Sequence, residues 1–158
     1  MEQKSLRCLL QSIETYLAQS EMKGEPAQLY APISYSMEEG GKRLRPMLTL
    51  LACGIFADEV EKAMPCAAAV EFFHNFTLLH DDIMDNANVR RGRPSVPAKW
   101  GDNVAILSGD AMLILAYNYL QHTDSERLSY IFEHFNKMAA EVCEGQQFDM
   151  DFETLQKV

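Results

Sequence analysis

The stretch that decides the fold is VEFFHNFTLLHDDIMD at residues 70–85, an apolar run that ends in three carboxylates. A helix with so many apolar side chains is normally buried. Asp81 and Asp85 share one face of that helix and lie about 6 Å apart along its axis. Carboxylates at that spacing can flank one Mg²⁺ ion. Acidic groups at helix ends are also common on solvated faces, so the acids alone leave both interpretations open.

Two neighbours of this acidic pair are placed by the same geometry. His74 lies about two turns before Asp81 on the same face, whereas Asp82 points away from that face. Asp82 is therefore expected to play a supporting role. A single histidine on an apolar helix is usually a core residue, but its alignment with two acids also indicates contact with a ligand.

The basic residues are concentrated although the chain is acidic, with a net charge of −9. Such a charge argues against nucleic acid as a partner. Arginine binds phosphate oxygens in bidentate fashion, so the clusters predict an anion site beside the acids. Two solvated basic loops are the alternative. Six of the 14 Lys and Arg residues form the two clusters, Lys42, Arg43 and Arg45 and then Arg90, Arg91 and Arg93.

Composition and length favour one soluble domain. The chain has 158 residues, of which 47% are apolar, and no apolar stretch approaches the length of a membrane span. No signal-peptide pattern begins the sequence, so a cytoplasmic location is expected. The four cysteines are scattered and predict reduced thiols rather than disulfides or a zinc site.

Helical periodicity predicts an all-α fold with no strands. A loop is expected at 86–100, and Thr123, Asp124 and Ser125 are candidate caps for the last helix. The helices at 65–85 and 103–120 are apolar nearly all round and need cover on every side, from another chain or from a longer natural protein. The six predicted helices span about 4–20, 26–41, 44–54, 65–85, 103–120 and 125–155.

Five motifs in fixed order identify a family resemblance. The motifs are GGKRLRP at 40–46, LLHDDIMD at 78–85, RRG at 90–92, GD at 109–110 and GQQFD at 145–149. In order and spacing they resemble the trans-isoprenyl diphosphate synthases of the polyprenyl synthetase family. An aspartate-rich motif alone would be weak, because all-α terpene cyclases carry one too. Its combination with the two basic motifs is specific.

The resemblance implies a helical isoprenoid-synthase bundle and a prenyltransferase. Such an enzyme condenses an allylic diphosphate with isopentenyl diphosphate, head to tail, and Mg²⁺ assists departure of the allylic diphosphate. It further implies a cytoplasmic homodimer with a farnesyl or geranylgeranyl product.

The resemblance also assigns roles position by position. Asp81 and Asp85 would bind Mg²⁺, with Asp82 in support, and Arg90 would bind the allylic diphosphate. Gln146 and Asp149 would lie across the cavity, whereas Arg43, Arg93 and Lys99 would be peripheral. Phe76 and Thr77, the fifth and fourth residues before Asp81, would form a floor that limits product length, although an ideal helix also allows Phe76 to be plain core. Isopentenyl diphosphate would be bound by Lys42, Arg45, His74 and Arg91.

This chain departs from the family pattern in its length. Family members are about twice as long, and their second half carries a further aspartate-rich motif and lysines. Residues 1–158 are therefore expected to be the N-terminal half of one synthase domain, and to be inactive alone. A catalytically silent half-length partner and a terpene cyclase remain as alternatives.

Overall fold

A computed structural model of the chain describes residues 6–19, 24–38, 41–124 and 126–155. It divides into two compact units, Met1–Thr123 and Asp124–Val158. The described residues are almost entirely helical, which confirms the all-α prediction. None of their helices combines the length and the apolarity that crossing a membrane requires.

The helices follow the predicted order, and their ends agree with the predicted ones within about three residues. In the first unit they are α1 (Leu6–Ala18), α2 (Ala27–Glu38), α3 (Leu44–Phe56), α4 (Met64–Met84), α5 (Val96–Trp100) and α6 (Asp102–Gln121). A short 3₁₀ helix, Val60–Ala63, precedes α4, and the second unit contains α7 (Leu128–Thr154).

Helix α4 is the central element of the first unit. Pro65 stands in its first turn, where the missing N–H costs nothing, and Ala67, Ala68 and Phe72 are fully buried. The ring of Phe72 stacks on Tyr119 of α6 with centroids 5.0 Å apart. Burying one such side chain stabilises the fold by about 2–3 kcal/mol, so the α4–α6 contact holds the acidic end of α4 in place.

The region predicted as a loop contains a β-hairpin and a short helix. Strands β1 (Val89–Arg90) and β2 (Arg93–Pro94) pair in antiparallel register, with Arg90 opposite Arg93. Arg91 and Gly92 between them have φ of 51° and 79°, as in a two-residue turn of type I′. The prediction of a structureless loop was wrong because strands of two residues are too short to show alternation.

The predicted cap of the last helix was also wrong. Arg127 occupies the N-cap position of α7, and its side chain makes no capping hydrogen bond. Thr123 is buried instead, with its hydroxyl 3.2 Å from Cys66 Sγ. Ser125 lies outside the described residues.

Helix α3 carries an exposed apolar stripe. Leu44, Leu48, Leu51 and Ile55 follow one another at helical spacing, and each is at least 38% exposed. On α6, Leu107 and Ile114 are exposed to a similar degree. Exposed apolar side chains thus lie on α3 and α6, whereas α4, which was also expected to need further cover, is largely buried or half-buried already.

Candidate functional site

The three acids of the aspartate motif lie at the end of α4 in different environments. Asp81 is half-buried, Asp82 is buried, and Asp85 is exposed at the C-cap. The backbone N–H of Asp85 donates to the carbonyl of Asp81 at 2.8 Å, so these two residues remain one helical turn apart. The fold therefore keeps the pair on one turn, as the sequence predicts.

Crowding of negative charge marks the acidic end of the helix. Desolvation raises the pKa of Asp81, and the nearby carboxylates of Asp85 and Asp82 raise it further, while Arg90 and His80 oppose them. Bound positive charge would relieve this repulsion, and carboxylate oxygens are donors that Mg²⁺ accepts. Among the described residues, no three His, Cys, Asp or Glu side chains form a complete metal cluster. Asp81 and Asp85 therefore fit part of a Mg²⁺ site, with the other positions left to water or substrate oxygens.

Asp82 and Arg90 form an ion pair beside the acids. Arg90 Nε donates to Asp82 Oδ1 at 2.8 Å, and Asp82 is only 2% exposed. Desolvation raises the pKa of Asp82 despite this bond, so burial outweighs the arginine. This bond uses Nε, and the terminal amino groups of Arg90 are of a type suited to an anion. Asp82 thus holds Arg90 directly, and its predicted support of the metal-binding acids stays a prediction.

The hairpin tip meets the first basic cluster. A Cβ atom on Gly41 would lie 3.3 Å from Arg91 Nη1, so the missing side chain lets the guanidinium approach the backbone. Arg91 adopts a left-handed conformation at the tip, which is uncommon for a residue with a side chain. Lys42 is exposed next to Gly41. The fold therefore brings Gly41 and Arg91, which are 50 residues apart in sequence, into contact.

His74 lies at the centre of the basic groups. Arg45 Nη1 is 3.1 Å from His74 Nε2, and since arginine has no acceptor, the imidazole nitrogen accepts. The ring is then neutral, with its proton on Nδ1. The pKa of His74 is lowered by burial first and by Arg45 next, with Arg91 and Arg90 adding to the effect and Glu71 opposing it. Arg45 therefore contacts His74, and the charges of Arg91 and Arg90 also act on it, so we call this group of cations the basic pocket.

His80 connects the aspartate motif to α6. Its Nε2 lies 3.4 Å from the Ile106 carbonyl and 3.8 Å from Asp110 Oδ1. A Cβ atom on Gly109 would stand 2.6 Å from His80 Cδ2 and closer still to Nε2. Gly109 is therefore required for this close approach of the helices, which explains a part of the GD motif.

Phe76 and Thr77, the predicted product-length floor, have local partners. The ring of Phe76 packs edge-on against His80 with centroids 4.7 Å apart, and lies 5.6 Å from that of Phe73. Thr77 Oγ1 donates to the His74 carbonyl at 2.8 Å. Phe76 thus lies on the side of α4 where His80 contacts α6, and it is half-buried, unlike the buried Phe72 and Phe73. Its role in product length stays a prediction.

Sequence reasoning missed the role of Arg43, which was expected to be peripheral. Its guanidinium is turned inward and forms an ion pair with Glu71, a residue that is 3% exposed. No sequence signal separates this arginine from its basic neighbours.

Arg93 and Lys99 lie over the ring of Tyr35, at 4.0 and 4.1 Å from its centroid. The hydroxyl of Tyr35 donates to the Pro94 carbonyl at 2.8 Å, so the ring fastens the base of the hairpin. These two cations thus have Tyr35 as their partner, and their peripheral role stays a prediction.

Two predicted residues belong to the second unit. Gln146 is half-buried and Asp149 is exposed on α7. Their place opposite the acids stays a prediction.

A family model, polyprenyl synthetase, matches residues 26–158 of the chain. The chain belongs to this family. Among its curated relatives, the geranylgeranyl diphosphate synthase of Methanosarcina mazei is 44% identical over 135 residues, which are 84% of this chain and 42% of the relative. The short chain isoprenyl diphosphate synthase of Methanocaldococcus jannaschii is 42% identical over 80% of this chain and 39% of the relative.

Solved structures show the same relationship. A crystal structure of a geranylgeranyl pyrophosphate synthase superposes with a TM-score of 0.92 at 47% identity, covering 98% of this chain and 47% of the other. The enzyme of Pyrococcus horikoshii gives a TM-score of 0.89 at 32% identity over 97% of this chain and 47% of the other. This polyprenyl synthetase chain therefore has the isoprenyl diphosphate synthase fold, and it spans less than half the length of the relatives named here.

Proposed function

We propose that this chain forms the N-terminal half, residues 1–158, of a prenyltransferase that condenses an allylic diphosphate with isopentenyl diphosphate. The observation that carries the proposal is the contact of Arg45 with His74 on the helix that carries the acids, with Arg91 against Gly41 and Arg90 bonded to Asp82. A pocket of fixed positive charge beside a carboxylate pair matches two diphosphates, one of which arrives with its metal. The relatives, a geranylgeranyl diphosphate synthase and a short chain isoprenyl diphosphate synthase, support the same reaction class.

The basic pocket would bind isopentenyl diphosphate. Arg45 and Arg91 supply guanidinium groups that match phosphate oxygens, and exposed Lys42 adds an ammonium group. His74 is neutral in the folded protein, so it contributes orientation rather than charge: it accepts from Arg45 and fixes the direction of that guanidinium. The pocket is therefore assembled before any substrate enters, which lowers the cost of binding.

The acidic end of α4 would serve the allylic diphosphate. Asp81 and Asp85 would hold Mg²⁺, and Gln146 and Asp149 would support the metal region. When bound, Mg²⁺ supplies positive charge that stabilises the departing diphosphate. Arg90 would bind the same diphosphate through its terminal amino groups while Asp82 holds its Nε. The Mg²⁺ held by Asp81 and Asp85 and the guanidinium of Arg90 would thus both neutralise charge on the leaving diphosphate.

We further propose a farnesyl or geranylgeranyl product, a homodimer and a cytoplasmic location. The relatives named above support the short product, and Phe76 with Thr77 would limit it. A heptaprenyl diphosphate synthase from Staphylococcus aureus has the same fold, with a TM-score of 0.84 at 26% identity. Side chains near the acids, rather than the fold, must therefore set product length.

The function is tested with a full-length enzyme that contains this sequence, using isopentenyl diphosphate, geranyl diphosphate and Mg²⁺. Asp81→Ala and Asp85→Ala should each lower turnover by about 10²–10³-fold or more, since stabilisation of the leaving group is lost. Asp58→Ala, which removes an exposed acid after α3, is the matched control and should leave turnover unchanged.

Activity within tenfold of the parent enzyme for both site variants would contradict the metal assignment. Cyclic hydrocarbon formed from the allylic diphosphate alone would indicate a terpene cyclase instead.

A further inference from the structure

Arg43 belongs to the first basic motif, GGKRLRP at 40–46, but its side chain is buried in the protein interior. Its side chain is 9% exposed and that of its partner Glu71 is 4% exposed, so both charges of this ion pair are buried. Arg43 Nη2 also donates to the Met37 carbonyl at 2.7 Å. A buried charge is tolerated only when it is paired and hydrogen-bonded, so these contacts have a structural purpose other than holding substrate.

Glu71 is itself fixed from its own helix. Asn75 Nδ2 donates to the Glu71 carbonyl at 2.9 Å and lies 3.4 Å from Glu71 Oε1. Asn75 is 3% exposed, so the carboxylate is held within a buried polar network. A network of this kind defines the direction of each member more strictly than a single bond does.

The network fixes the chain on both sides of Arg43. Arg43 has φ of 46° and ψ of 36°, a left-handed conformation that a residue with a side chain adopts only when its surroundings impose it. Arg45, two residues later, contacts His74, which lies one helical turn beyond Glu71 on α4. Residues 43 and 45 are therefore held by adjacent turns of the helix that ends in the aspartate motif.

We propose that Arg43 and Glu71 are a positioning pair that sets the direction of Lys42 and Arg45 toward isopentenyl diphosphate. The inference rests on the proposed function for the identity of the anion. Without the pair, the left-handed turn at Arg43 loses its anchor, and the adjacent residues Lys42 and Arg45 lose their fixed backbone direction. Arg43 acts through its neighbours and does not touch substrate.

The test is Glu71→Gln in the full-length enzyme, with inorganic pyrophosphate as the probe in isothermal titration calorimetry. Removal of a negative charge close to the pocket would tighten anion binding if only electrostatic attraction mattered. Positioning predicts the opposite, a dissociation constant raised by about tenfold. The Michaelis constant for isopentenyl diphosphate should rise similarly, with little change in kcat or in the Michaelis constant of the allylic substrate.

A second variant and a control complete the design. Arg43→Met with Glu71→Leu keeps the net charge and fills the buried space, so it provides a folded variant without the ion pair; it too should bind pyrophosphate more weakly. Ser108→Ala removes a buried hydrogen bond from α6 to the Leu29 carbonyl and should leave the affinity unchanged. If Glu71→Gln or the double variant binds pyrophosphate as tightly as the parent or more tightly, the positioning role is wrong, but the proposed function still stands. A parent enzyme that binds no pyrophosphate overturns the proposed function and the inference with it.

Discussion

Gly109→Ala tests the close approach of α6 to α4 beside the aspartate motif. The added Cβ would lie 2.6 Å from His80 Cδ2, whereas carbon atoms prefer about 3.5–4.0 Å, so the ring must retreat by about 1 Å. Its retreat is hindered by the ring of Phe76, whose centroid is 4.7 Å away. The substitution therefore overpacks the interface instead of filling a void.

The expected magnitude follows from two opposing terms. Overpacking a well-packed interior lowers the free energy of unfolding by about 1–3 kcal/mol. Replacing glycine by alanine within a helix raises it by about 1 kcal/mol. The net loss in the free energy of unfolding should be about 1 kcal/mol. Gly145→Ala in α7 is the matched control, because nothing lies within 4 Å of its added Cβ. That variant should gain about 1 kcal/mol, which leaves a difference of about 2 kcal/mol between the two.

Urea unfolding of both variants measures this difference. Since His80 directly precedes Asp81, Gly109→Ala should also reduce prenyl transfer in the full-length enzyme. A Gly109→Ala protein as stable as Gly145→Ala would refute the reasoning, because it would mean that His80 moves aside at no cost.

Three further predictions concern the site. Burial and Arg45 lower the pKa of His74 from its usual 6.5, so unfolding takes up a proton as the pH falls below about 6.5 and the free energy of unfolding should decrease there. In urea titrations at pH 8 and pH 5, His74→Gln should remove this part of the pH dependence. The same pH dependence in both proteins would contradict the prediction. Arg91→Gln should raise the Michaelis constant for isopentenyl diphosphate by about 10–100-fold, as expected for a lost charged hydrogen bond, and a larger effect on the allylic substrate would exchange the roles of Arg90 and Arg91. Phe76→Ala should lengthen the product if Phe76 is the floor, which chromatography of the prenyl chains measures; an unchanged product would leave Phe76 as a core residue.

Sequence alone was sufficient for the helices and for the family. The helical period is a local property, so α1 to α4, α6 and α7 were predicted with small errors at their ends. The motifs with carboxylates and arginines could be recognised because their chemistry is carried by residue type and spacing. The hairpin at Val89–Pro94 was missed, since its strands are too short for a periodic signal.

Only the tertiary structure distinguished residues that look alike in sequence. Arg43 and Arg45 stand two positions apart in one motif, yet one is buried against Glu71 and the other contacts His74. Asp82 was expected to support the other acids, but its partner, Arg90, became known only when the hairpin was seen to fold back on α4. Sequence spacing determines which residues share a helix face, whereas the direction of a long charged side chain depends on partners brought close by packing. That difference explains why the charged residues of this site could be recognised from the chain, whereas the partners of its arginines could not.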